Sequence, residues 1–178
     1  SGVCPPITSS TVTVTVNPTT AVGAVSANQT ICSGSSPSDI SIASATGTIQ
    51  WQRADNAGFT VGLINIGTNS TILTSVEIGP LTATRYFRAS VKSGVCPTVY
   101  SATVTITVNP TSAVGAVSAN QTICYGNSLS SNITIASATG IIQWQWANDA
   151  GFTFPNNIGT GLTTLTIAQV GPLTATRY

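Results

Sequence analysis

The chain contains no histidine and no methionine, and only 5% of its 178 residues are charged. Histidine is the side chain that most often moves protons near neutral pH, so its absence removes the commonest general base and a frequent metal ligand. Five basic and four acidic residues leave a net charge of +1. That balance offers no basic stripe for phosphates, so neither nucleic-acid binding nor adsorption to an anionic membrane is expected. No apolar run approaches the roughly 18 residues that a membrane-spanning helix needs, and no membrane insertion is expected in this segment. No signal peptide opens the sequence either, because Ser1 falls in the middle of a repeat unit. The sequence therefore reads as a processed or partial segment of a longer chain.

The groups that could carry chemistry are few and scattered. The four carboxylates are Asp39, Asp55, Glu77 and Asp149, and they do not cluster. Asp55 and Asp149 lie in similar loops, ADNAG and ANDAG, with the acid displaced by one position. A calcium ion wants about six to eight oxygens, so loops with one acid each read as turns. Serine and threonine are abundant but have no base to activate them. Four cysteines are present without a CxxC pair, which argues against zinc. No catalytic residues, cofactor or metal are expected, and the protein is not expected to be an enzyme.

What the chain does contain is a repeat, and repeats decide architecture before any residue-level reading. The stretch from Thr11 to Cys32, TVTVTVNPTTAVGAVSANQTIC, returns as TVTITVNPTSAVGAVSANQTIC from Thr103 to Cys124. SGVCP at Ser1 recurs at Ser93, and GPLTATRY at Gly79 recurs at Gly171. A period of about 92 residues suits one β-sandwich domain of roughly 100 residues. Proline ends strands, so the boundaries fall at Asn17-Pro18 and Asn109-Pro110. Residues 1–17 then form the last strand of a preceding repeat, residues 18–109 a complete repeat, and residues 110–178 a following repeat incomplete at its C-terminal end.

The strand signal is alternation of apolar and polar residues. It places Val104, Ile106 and Val108 on one face, and Phe87, Ala89 and Val91 on another. Ile40 with Ile42, and Ile49 with Trp51, mark two more strands. Ile72–Ile78 is harder to phase, because the copies disagree there. No segment has a convincing helical period, so the expectation is all-β.

Trp51 and Trp144 are equivalent and are expected in the cores of their repeats. Trp146 stands where the first copy has Arg53, so it is expected to face outward and is a possible exposed contact. Tyr86 and Tyr178 are candidates for a tyrosine corner. Cys32 and Cys96 are the disulfide candidates of the complete repeat, and Cys4 and Cys124 would find partners outside this segment. Closing the long Cys32–Cys96 loop would contribute roughly 4 kcal/mol. A difficulty is that sandwich topology can put these two at opposite poles, which leaves bridges between consecutive repeats as the other arrangement. NxS/T sequons at Asn28, Asn69, Asn120 and Asn132 permit glycosylation, though Thr-rich sequences generate them by chance.

ICSG before a strand, WQxxxxxxFT, PLTATRYFR and SGVCPTVYSATVTITVNP together resemble the immunoglobulin-like repeats of very large Bacteroidetes surface proteins. These include gliding-motility adhesins exported by the type IX secretion system. The resemblance implies tandem immunoglobulin-like sandwiches, a secreted chain at the bacterial cell surface, and a rod or filament for attachment or gliding. Its partners would be neighbouring repeats of the same or another chain, with surface glycans or other cells as targets. Two alternatives stand beside it: a strand-exchanged, pilus-like filament subunit, and an accessory carbohydrate-binding module of a secreted enzyme.

Overall fold

A computed structural model describes residues 2–178, in two compact units that divide between Asn109 and Pro110. Each unit is built of short strands with one four-residue helical turn, so the protein is all-β.

The first unit contains β1 (Ala21–Val22), β2 (Gln29–Cys32), β3 (Ile40–Ser41), β4 (Ala45–Thr46), β5 (Thr48–Ala54), β6 (Ile64–Ile66), β7 (Ile72–Leu73), α1 (Ser75–Ile78), β8 (Arg85–Lys92), β9 (Val99–Tyr100) and β10 (Val104–Asn109). Its main sheet has the order β2-β10-β8-β5-β6, with β9 also paired to β8. β8 is the hinge of this arrangement. One edge pairs with β5 from Thr48↔Lys92 to Ala54↔Tyr86, and the other pairs with β10 at Val104↔Phe87 through Ile106↔Arg85. β10 in turn holds β2 in parallel, Ile106↔Gln29 to Asn109↔Cys32. Two ribbons, β1–β4 and β3–β7, and the isolated bridges Val25↔Ile42 and Ser35↔Leu81 add further pairing.

Alternation along the strands explains the core. β5 turns Ile49 and Trp51 inward, β8 turns Phe87, Ala89 and Val91 inward, and β10 adds Val104 and Ile106. Against them pack Ile40 of β3 and Leu73 of β7, all in one buried cluster. The Trp51 indole N–H donates to the Ser70 carbonyl at 3.0 Å, so its one polar atom is satisfied inside the core. Gly47, between β4 and β5, has φ 125°. A Cβ there would stand 2.5 Å from the Lys92 carbonyl oxygen, so only glycine lets the start of β5 lie this close to β8.

The stretch Ile72–Ile78 proves to be two elements. The strand stops at Leu73, and Thr74 then caps a helical turn over Ser75–Ile78. The period changes from two to 3.6 within seven residues, so no single strand phase fits it. The reading that no helix is present is corrected to this extent: both units have such a turn.

The second unit repeats the local pieces in β11 (Ala113–Val114), β12 (Ile133–Thr134), β13 (Ala138–Thr139), β14 (Gln143–Trp146), β15 (Asn156–Thr160), β16 (Thr164–Leu165) and α2 (Ile167–Val170). β11 pairs with β13, β12 with β16, and β14 with β15. Tyr178 and Ala147 exchange two backbone hydrogen bonds of 3.0 Å, the counterpart of Ala54↔Tyr86 in the first unit. The run Gln121–Cys124, which matches β2, has no strand partner. In the first unit that partner is β10.

Residues 3–17 lie outside the strands. Val12, Val14 and Val16 are 84–87% exposed, whereas of their sequence counterparts Val104 and Ile106 are fully buried and Val108 half-buried. The alternating pattern gives a strand only where β8 is there to receive it.

Core truncations in the first unit should therefore be costly. Trp51→Ala or Phe87→Ala should lower unfolding stability by about 3–5 kcal/mol. Trp144→Ala, whose side chain is half-buried, should cost clearly less. Denaturant melts followed by amide exchange in each unit check the ordering.

Candidate functional site

The four carboxylates were the first candidates for chemistry, and the structure places each in a backbone- or arginine-binding role. In every case the other copy fills the same role with an amide. Asp39 Oδ1 accepts from the Ser75 N–H at 2.6 Å, and Asn132 Oδ1 accepts from the Ile167 N–H at 2.9 Å. Asp55 pairs with Arg85 at 3.1 Å, and Asn148 Oδ1 accepts from Arg177 at 2.5 Å. Glu77 accepts from the Thr74 N–H at 2.8 Å, and Gln169 from the Thr166 N–H at 2.8 Å. Asp149 Oδ1 closes its loop through the Thr153 N–H at 3.3 Å, and Asn56 Oδ1 does the same through the Thr60 N–H at 3.0 Å. The displaced acid of ADNAG and ANDAG is thereby explained. Two neighbouring acceptor positions exist in each loop, and either can be carboxylate or amide.

The carboxyl of Glu77 titrates below its ordinary value. The Thr74 N–H and hydroxyl that bond its carboxylate hold it below the usual 4.5. No group of three or more metal-ligating side chains exists among the described residues.

The aromatics follow burial. Trp51 is in the core, as its alternation required. Trp144 is only half-buried, although its indole donates to the Leu162 carbonyl at 2.9 Å just as Trp51 donates to Ser70. That expectation of a buried Trp144 is corrected: Trp51 lies beside Ala89 of β8, and Trp144 has no such strand over it. An apolar groove of about 380 Å³ opens there instead, lined by Val114, Val117, Ile135, Ile142 and Trp144. Trp146 is half-buried, with the Arg177 guanidinium 4.5 Å from its ring centroid. It is not a free outward platform. Arg88 is likewise held between Phe59 and Tyr100, at 4.1 and 3.9 Å from the two centroids. Tyr86 sits within β8, opposite Thr105 and Ala54. Neither its hydroxyl nor that of Tyr178 makes a tie to a neighbouring loop among the described residues, so the tyrosine corner is not formed.

All four cysteines are free thiols. Cys32 ends β2 beside Asn109, while Cys96 lies beyond Lys92 with its Sγ 3.6 Å from the Pro18 carbonyl. β8 runs antiparallel to β10, so these positions are at opposite ends of the sheet. The Cys32–Cys96 bond within one repeat is therefore ruled out by topology. At roughly 3.3 Å per residue, the eight residues of β8 separate the two far beyond the span of a disulfide, about 4.4–6.8 Å between Cα atoms.

Both copies also share their cap and loop geometry. Residues 21–110 and 113–178 each match the family described as "Domain of unknown function (DUF8696)". The chain belongs to this family. No curated protein matches it. The two matches make the chain a tandem pair of DUF8696 domains, and the division between compact units at Asn109 falls at the end of the first match.

Sequence reading missed the Asp/Asn and Glu/Gln interchange, although aligning the copies at their shifts of 92 and 93 would have found it. It also treated the sequons only as glycan acceptors. Three of them are structural in the DUF8696 domains. Asn28 Oδ1 accepts from Thr105 N–H at 2.8 Å, Asn69 Oδ1 from Ile49 N–H at 2.7 Å, and Asn132 Oδ1 from Ile167 N–H.

The capping boxes give a pH test. Glu77 titrates lower folded than unfolded, so its contribution is present above its ordinary value of 4.5 and is lost as pH falls through the lowered folded value. Acidification should loosen α1 and leave α2, capped by Gln169, unchanged. Glu77→Gln should keep α1 intact at neutral pH and abolish its acid response. Hydrogen exchange at the Glu77 and Gln169 amides measures both.

Proposed function

We propose that this chain is a structural, adhesive repeat region of a secreted bacterial surface protein, its DUF8696 domains being immunoglobulin-like sandwiches strung in tandem as a rod. The observation that carries this reading is the acid–amide interchange. A catalytic or metal-binding carboxylate depends on its charge, and an amide cannot replace it. Here all four carboxylates have amide counterparts making equivalent hydrogen bonds, so the chain preserves shape and not ionisation.

The strand order supports the immunoglobulin-like part of the proposal. β10-β8-β5 follows the G-F-C order of that fold, with Trp51 on the C-like strand. The rod reading draws its support from the junctions. VNPTTAVGAVSANQ and VNPTSAVGAVSANQ differ at one position, so each junction presents nearly the same local chemistry. A surface of Thr, Ser and Asn with few charges suits an extracellular filament whose outer face must stay hydrated without binding counter-ions. The apolar groove beside Trp144 fits the proposal as well, because in the first unit the matching face is closed by β8 of the same repeat.

Two measurements test this reading. Combining D39N, D55N, E77Q and D149N should leave the melting temperature within roughly 5 °C and leave surface attachment intact. Loss of attachment with the fold preserved would overturn the non-catalytic reading. The intact native polypeptide should have a mass many times 18.0 kDa, and a mass near that value would overturn the long-repeat reading.

A further inference from the structure

We infer that Cys96 forms a disulfide with the Cys32-type cysteine of the repeat before it, stapling consecutive DUF8696 domains across each Asn-Pro junction. The inference rests on the tandem reading above and on two placements within the first unit. At the start of the repeat, the turn carrying Cys96 is fastened to the junction. Cys96 Sγ lies 3.6 Å from the Pro18 carbonyl oxygen, and the Ser93 N–H donates to Thr20 Oγ1 at 3.1 Å. Gly94, at φ 52°, packs so closely on the Asn17 side chain that no Cβ fits.

At the end of the repeat, Cys32 is fastened to the next junction in the same way. It stands opposite Asn109 in the parallel ladder, and the Ser33 N–H donates to the Asn109 carbonyl at 2.8 Å. Asn109-Pro110 repeats Asn17-Pro18. In the repeat that ends at Asn17, the Cys32-type residue therefore stands beside Asn17, about 4.8 Å away across the ladder. Cys96 is seated on the next residue, Pro18. One peptide bond, with its Cα atoms about 3.8 Å apart, thus ties the two cysteines into the same neighbourhood. This neighbourhood is set by covalent connection and strand pairing, and the bond itself then needs the two Cα atoms about 4.4–6.8 Å apart.

The pairing also gives each cysteine a role. Cys32 and Cys96 do not meet within a repeat, yet both recur at the same places in the sequence, as Cys124 and Cys4. Each repeat offers one thiol to the repeat before it and one to the repeat after it. Cys32 is exposed and Cys96 half-buried, so an oxidant can reach them. With oxidised glutathione, one protein thiolate attacks the glutathione disulfide and releases one glutathione thiolate. The second protein thiolate then attacks the mixed disulfide and releases the other. Two electrons pass from the protein sulfurs to glutathione, whose two thiolates take up the two protons.

The test completes the preceding repeat with the chain's own sequence. Ser1 matches Ser93, so residues 18–92 fused in front of Ser1 give a full repeat followed by the whole chain. After oxidation with glutathione disulfide, peptide mapping by mass spectrometry should find the Cys32 of the added copy linked to Cys96. The variant Cys96→Ser should lose that linked peptide. Cys96 and the added Cys32 both remaining unlinked after oxidation, or a link between Cys32 and Cys96 of one repeat, would overturn the staple; Cys4, Cys124 and the chain's own Cys32 have no partner repeat in the fusion and stay unbridged. Small-angle scattering of the Cys96→Ser fusion separates this from the reading beneath it. An extended, folded fusion without the link leaves the tandem rod standing and removes the staple, whereas an unfolded or collapsed fusion removes the rod as well.

Discussion

Pairing along both edges of β8 is the constraint on which the first unit depends. β5 and β10 are far apart in sequence and meet only through it, and β2 is held only through β10. The inward faces of these strands then close on β3 and β7. Since loop-closure entropy must be met before such distant strands can pair, the unit gains little until β8 is in place. The second unit shows the converse. Its ribbons and helical turn form from local sequence, but Trp144 is only half-covered and the β2-like run Gln121–Cys124 makes no ladder.

A second theme is that polar side chains here act as backbone ties. Asn28, Asn69, Asp39 and Asn132 each accept from an N–H that the sheets and helical turns leave without a partner. The Ile49 N–H held by Asn69 is the part-buried one, and a buried donor left unmet costs about 1–3 kcal/mol; the other three ties are exposed. A carbonyl-type oxygen at the right distance is enough, which is why Asp and Asn exchange between copies. The chain's low charge is then a consequence of what its polar residues do. Few of them need to be ionised, and the partly exposed ion pair Asp55–Arg85 is of the kind worth about 0–1 kcal/mol.

Much of this was legible in the sequence. The repeat and the alternation in Phe87–Val91 and Val104–Val108 led directly to β8, β10 and the core around Trp51. The gaps have physical causes. Ile72–Ile78 changes period midway, so a window tuned to strands finds no phase. Thr11–Val16 and Thr103–Val108 are nearly the same string, yet one is exposed and the other buried. Local pattern cannot distinguish them, because burial is decided by a partner strand elsewhere. Trp144 was misjudged for the same reason. The Cys32–Cys96 pairing came from an even count per repeat, and the antiparallel run of β8 against β10 gives physical form to the topological objection already raised against it.

The near-identity of Thr11–Val16 and Thr103–Val108 has a consequence for how such a chain reaches its native state. A strand that any repeat could accept is also one that the wrong repeat could capture. With several unfinished copies present together, β10-like strands would compete for the same β8 edges, and crossed pairings would trap the chain in stable errors. Order of emergence resolves the competition. If each repeat closes before the next is released, the only free edge is the correct one. A chain of this design is therefore safest when it folds vectorially, one repeat at a time, and most vulnerable when it is refolded whole from denaturant.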